Sequence, residues 1–126
     1  MFGVGVGVRV GGFTASSGVA PYVGLLDDYP SAAAAYSVRL LRGAYTGNAI
    51  RVRRSSDNTE QNIGFTALGN LDTTSLTSFC SGTNGFVTTW YDQSGNSNNA
   101  TQSTAANQPQ IVSSGSVITL NSKPSI

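Results

Sequence analysis

The sequence predicts a mainly β fold, a partial β-sandwich-like module with two short helices and an extended N-terminal arm. Three observations carry that prediction. Short stretches repeatedly alternate apolar and polar side chains with a period of two, the signature of half-buried strands. These stretches are bounded by Gly, Asn, Asp and Ser in combinations that make turns. Finally, 126 residues with 39% apolar, only 10% charged and 15 glycines suit short strands joined by polar turns. A disordered chain would carry more charge and fewer aromatics. The length is that of one domain or less, with a modest core.

The arm and a linker occupy residues 1–30. Val4, Val6, Val8 and Val10 fall on one face, with Gly3, Gly5, Gly7 and Arg9 on the other. The glycine face buries nothing, and each glycine costs about 0.5–1 kcal/mol of backbone entropy relative to alanine. Such a strand gains most by joining a sheet edge or another subunit, with Phe2 and Phe13 as added anchors. The alternative is a plain tail. Ser16, Ser17, Gly18, Pro21 and Pro30 mark the linker.

The module itself is expected over 31–126. Ser31 is placed as an N-cap, and Ala32–Leu41 is rich in helix formers. Ala33, Tyr36, Leu40, Leu41 and Ala44 recur at helical spacing, with Asp27 and Asp28 ahead of the positive end and Gly43 and Gly47 at the exit. Ala49–Ser55 returns to period two, Asp57-Asn58-Thr59 supplies a turn, and Glu60–Phe65 returns as a partner strand. A short helix follows, capped by Asp72 and stapled by Leu71 and Leu76, with Gly82 at its end. Phe86–Tyr91 is the strongest strand, with bulk on both faces and burial expected on both. Asp92 to Asn96 reads as a turn, and further strands are expected near Gln110–Val112 and Val117–Leu120.

Composition narrows the chemistry. A net charge of +1 gives no general attraction to nucleic acid or anionic membrane, and no apolar run reaches bilayer length. With no histidine and one cysteine, Cys80, a metal site built on those residues is not expected. No other cofactor is indicated. The lone lysine, Lys123, has no nucleophile or base to work with. Arg51, Arg53 and Arg54 read as a solvated strand face paired with Asp57 and Glu60 rather than an anion patch. A glycosidase needs two carboxylates about 5–9.5 Å apart across a cleft, and the chain has six acids, most in turns or caps. Asp92 alone stands beside large aromatics. It is a candidate ligand group with Asn96 and Asn98, although a turn residue bonding its own backbone is the simpler reading. Trp90 is a candidate sugar platform, with core packing the simpler reading.

Two stretches resemble a known family. One is Ala44-Tyr45-Thr46-Gly47 with Arg51 to Asp57. The other is Phe79-Cys80-Ser81-Gly82-Thr83 with Trp90-Tyr91-Asp92-Gln93-Ser94-Gly95, then Asn98, Thr101 and Gln102. Together they resemble the start of the catalytic domain of fungal-type α-L-arabinofuranosidases, over roughly residues 31–120. The resemblance implies a second cysteine where Gly85 stands, so the family's disulfide is not expected here. It also implies catalytic carboxylates in a later part of the domain, so none carries over.

The same block looks like an N-terminal segment of phage virion proteins often followed by a concanavalin A-like lectin domain. On that resemblance the chain is expected to be no working enzyme. It is expected to be a structural or attachment component of a virion, docking through its arm to other virion proteins. A homo-oligomer, first a trimer, and cell-surface carbohydrate are the expected partners. The alternative is a fragment of an arabinofuranosidase-like glycoside hydrolase or a carbohydrate-binding module.

Overall fold

The computed structural model describes residues 21–126, so the predicted docking residues Phe2, Val4, Val6, Val8, Val10 and Phe13 lie outside the described residues. Along the chain come helix α1 (Leu25–Asp28), strands β1 (Ile50–Arg54) and β2 (Glu60–Ile63), helix α2 (Thr73–Phe79), and strands β3 (Gly85–Trp90) and β4 (Ala100–Thr101). A 3₁₀ turn (Ala105–Asn107) then leads to β5 (Gln110–Ser113), β6 (Ser116–Val117), β7 (Thr119–Leu120) and β8 (Lys123–Pro124). The main sheet has the order β2-β1-β3-β5-β6, with β4 added along β3; β7 and β8 form a separate hairpin. Every pairing is antiparallel.

The β1–β2 hairpin forms where period two and turn chemistry agree. Ile50, Val52 and Ile63 are fully buried, while Arg51 and Arg53 face outward at intermediate burial. Asn58 takes the left-handed conformation, φ 62°, that the turn requires, a conformation Asn tolerates better than most residues. Asp57 accepts from Thr59 N at 3.0 Å and pairs with Arg54. Strand β3 lies between β1 and β5, and both Val87 and Thr88 are buried, as expected for a strand covered on two sides. Helix α2 begins where Asp72 accepts from Ser75 N at 3.0 Å and from Ser75 Oγ at 2.6 Å. Leu71 and Leu76 on either side of that cap join a core that also holds Ala49, Phe79, Cys80, Ile111 and Val112.

Two expectations fail. Residues Ala32–Leu41 form no helix, and the chain there is extended or irregular. Alanine's advantage over other residues is only a few tenths of a kcal/mol per position, and tertiary hydrogen bonds to the extended backbone, described below, outweigh it. The helix sits instead at Leu25–Asp28, inside the stretch expected as linker. There Asp27 Oδ2 accepts from Gly24 N at 2.8 Å and from Gly43 N at 2.7 Å. The expected Val117–Leu120 strand is also divided at Ile118, between β6 and β7, although the Ile118 N–H still donates to Ile111 O of β5 at 2.8 Å.

Candidate functional site

The densest polar cluster is the loop after β3, where Asp92, Gln93 and Ser94 are all buried. Their partners lie mainly on the extended stretch 32–41. Asp92 Oδ1 accepts from Ala35 N and Ser94 N, each at 2.8 Å, and Oδ2 from Ser94 Oγ at 2.7 Å and Asn98 N at 3.0 Å. Burial opposes the charge, but these donors outweigh it and hold the carboxyl at about 2, as backbone N–H groups do when they converge on a carboxylate. Gln93 is fully buried. Its Oε1 accepts from Leu41 N at 2.8 Å, and its Nε2 donates to Ser37 O at 3.1 Å and Arg39 O at 2.9 Å. Its own N–H reaches Ala35 O at 2.8 Å. One side chain thus replaces a neighbouring strand.

The other predicted site residues join the same arrangement. Asn96 Nδ2 donates to Ala32 O and Ala33 O at 3.1 and 3.0 Å, and Asn98 Nδ2 to Ala33 O at 2.8 Å. Tyr36 returns a bond from its hydroxyl to Asn98 O. Trp90 stands apart from this network. Its ring meets Tyr36 with centroids 6.1 Å apart and packs against the core, but its buried Nε1 has no acceptor among the described residues. The structure therefore brings Asp92, Asn96 and Asn98 together on protein partners, with Trp90 alongside. Gln93, the most enclosed of the group, is not singled out by sequence reasoning. Its place inside the Asp-Gln-Ser-Gly block is the available signal.

The acids can be judged against the needs of glycoside hydrolysis, because all six fall within residues 21–126. Asp27 holds two backbone N–H groups, Asp72 caps α2, Asp57 pairs with Arg54 and Glu60 with Arg51. Asp92 is enclosed by four donors. Hydrogen bonds lower Asp27 and Asp72, and the Arg54 guanidinium lowers Asp57 most. A general acid needs the opposite shift, upward toward neutrality. Among the described residues no three His, Cys, Asp or Glu side chains cluster as a metal ion would require, and no helix is long and apolar enough to cross a membrane.

Comparison with known proteins places the block. The family described as "Alpha-L-arabinofuranosidase B, catalytic" matches residues 26–121. A protein of Aspergillus terreus named "Probable alpha-L-arabinofuranosidase B" is 42% identical over 74 residues, which is 58% of this chain and 15% of that one. The α-L-arabinofuranosidase of Hypocrea jecorina is 38% identical over 73 residues, with the same shares. Among solved structures, a mutant GH54 α-L-arabinofuranosidase soaked with 4-nitrophenyl α-L-arabinofuranoside matches with a TM-score of 0.58 and 34% identity, over 64% of this chain and 18% of that one. An arabinofuranosidase complexed with arabinofuranosyl-α-1,2-xylobiose matches with a TM-score of 0.51 and 37% identity, over 55% and 15%. The chain thus spans about 15% of the length of the curated relatives it matches.

These findings correct the expected virion role and virion location. The Asp-Gln-Ser-Gly block, the specific part of the resemblance, lies within a match to a glycosidase catalytic domain. A glycine-rich arm and a lone free cysteine are not specific to a virion protein. The second reading, a segment of an arabinofuranosidase-like hydrolase, is the one supported. On the match over residues 26–121, the chain belongs to the α-L-arabinofuranosidase B catalytic-domain family.

Proposed function

We propose that these residues are a scaffold segment of an arabinofuranoside-hydrolysing catalytic domain, and that the acids performing hydrolysis lie outside the 126 residues. The observation that carries this reading is the occupation of the carboxylates. Five of the six acids are committed to backbone, hydroxyl or guanidinium donors. The pair that glycoside hydrolysis demands, one acid and one nucleophile or base, is thus not free to be drawn from them. The Asp92–Asn98 loop serves instead to lock the 32–41 stretch against the sheet, which fixes the frame on which a cleft is built. Its side chains have a positioning role and make no contact with sugar in this reading.

A segment exchange tests it. The matched stretch of the Hypocrea jecorina arabinofuranosidase is replaced by residues 26–121 of this chain, and release of 4-nitrophenol from its arabinofuranoside is measured. The exchange is expected to keep turnover, and Gln93→Ala within it to lower turnover together with thermal stability. A folded exchange protein without turnover, or turnover by the isolated 126-residue chain that is abolished by Asp92→Asn, would overturn the proposal.

A further inference from the structure

Residues 95–101 are all exposed, where the chain leaves the Asp92 loop and enters β4. Within them stands Asn99-Ala100-Thr101. Of the ten asparagines in the sequence, only Asn99 has Ser or Thr two residues on, and the residue between is not proline. That triplet is the acceptor pattern for N-linked glycosylation, and it belongs on exposed loops. Such triplets also recur by chance, so the state of the carboxamide matters more than the spelling.

Three asparagines crowd this loop, and their amides are used differently. Asn96 Nδ2 donates to Ala32 O and Ala33 O at 3.1 and 3.0 Å, and Asn98 Nδ2 to Ala33 O at 2.8 Å. Both nitrogens therefore lie against the backbone of the 32–41 stretch. Asn99 uses its other end. Its Oδ1 accepts from Asp92 N at 3.0 Å, while Nδ2 has no protein partner among the described residues. Thr101 is exposed as well and is held in the sheet by its register with Thr89. Its hydroxyl, the third requirement of the pattern, likewise meets no protein partner among the described residues.

We propose that Asn99 is the acceptor of an N-linked glycan when the chain crosses an export membrane that carries oligosaccharyltransferase. The donor is an oligosaccharide linked to a lipid pyrophosphate. A bond forms between Asn99 Nδ2 and C1 of the first sugar, the bond from C1 to the pyrophosphate oxygen breaks, and one amide proton leaves with the lipid pyrophosphate. The amide carbonyl is untouched, so Oδ1 keeps the Asp92 N–H and the loop keeps its network. The glycan then stands at the start of β4 as a bulky, solubilising surface group. This inference rests on the asparagine chemistry of the chain and is independent of the hydrolase reading.

The test places a cleavable export leader before the full 126-residue chain. The chain is translated with endoplasmic-reticulum microsomes and, separately, secreted from an Aspergillus host, the genus of several relatives. Peptide mass analysis of the microsome product is expected to find a glycan on Asn99 that peptide N-glycosidase removes, converting the amide to a carboxyl. Thr101→Ala is expected to abolish the modification and Thr101→Ser, which keeps the hydroxyl, to retain it. The glycosylated secreted chain is expected to melt within about 3 °C of the same chain made unglycosylated in a bacterium. Asn99 left unmodified by microsomes, a modification that survives Thr101→Ala, or a glycan that lowers melting by more than that margin would overturn the proposal. The microsome product decides occupancy even where secretion is poor.

Discussion

Gln93 Oε1 accepts the backbone N–H of Leu41 at 2.8 Å while the same carboxamide donates to Ser37 O and Arg39 O. A fully buried side chain thereby satisfies three main-chain groups of a segment that forms neither a helix nor a named strand. The stretch 32–41 keeps its extended course because these groups find partners there that a helix would have to replace.

Gln93→Ala should therefore destabilise the module by roughly 2–4 kcal/mol, since one buried N–H and two carbonyls lose their partner. Gln93→Glu should be worse, because an acceptor would then face the two carbonyl oxygens. Urea unfolding followed by tryptophan fluorescence measures both. A loss below about 0.5 kcal/mol for Gln93→Ala, within the range of ordinary surface changes, would show that water replaces the amide and that the clip is dispensable.

Asp92 gives a pH-dependent counterpart. Its carboxyl is held at about 2 against an ordinary value of 3.8. A depressed folded value means the carboxylate contributes stability that is fully present above the unfolded value, and is lost as pH falls toward about 2. Asp27, Asp57 and Asp72 are lowered too, so acid weakens the whole module. Subtracting an Asp92→Asn variant isolates this residue. The difference in unfolding free energy should be largest near neutral pH and shrink through the window from about 5 to 2. A difference independent of pH would mean that Asp92 titrates alike folded and unfolded.

The strands were readable because their information is local. Ile50 and Val52 against Arg51 and Arg53 announce a face, and Asp57-Asn58-Thr59 announces its turn. Asp72 announces α2 for the same reason. Around Asp92 only the near half of the network has a local signal, namely the bonds from Ser94 and Asn98. Ala35 N lies 57 residues away and Leu41 N lies 52 residues from its partner Gln93. Nothing in the alanine run itself records those contacts, so local propensity names a helix that long-range bonding forbids. Arg53 is readable as an outward strand residue, but that Glu60, its direct cross-strand neighbour, pairs with Arg51 instead is not.

The helix cap offers a calibrated check on α2. Asp72→Ala removes the acceptor for Ser75 N and Ser75 Oγ and should cost about 0.5–2 kcal/mol. Asp72→Ser should recover most of it. Thermal unfolding by circular dichroism distinguishes the two, and equal melting of Asp72→Ala and the parent chain would deny the cap its role.

The last prediction concerns Cys80 and Gly85. Cys80 is free and fully buried, and burial raises its thiol above the usual value, so it is a poor nucleophile as it stands. A Cβ built on Gly85 would lie 2.7 Å from Cys80 Sγ, with Val52 Cγ1 at 3.1 Å and Val112 Cβ at 3.2 Å. For most side chains that is a clash with a packed core. For cysteine the short approach to sulfur is close to what a disulfide needs, since bonded cysteines hold their Cβ atoms only about 3.5–4.5 Å apart. Gly85→Ala should accordingly destabilise by about 1–3 kcal/mol through overpacking. Gly85→Cys should oxidise so that the introduced thiol bridges to Cys80, and closing so short a loop should stabilise the oxidised form over its own reduced form by about 2 kcal/mol. Thiol titration and non-reducing mass analysis report the bond, and melting with and without reductant reports its effect. Two free thiols persisting in Gly85→Cys under mild oxidant, in a protein that remains folded, would show that the sulfur and the glycine do not face each other.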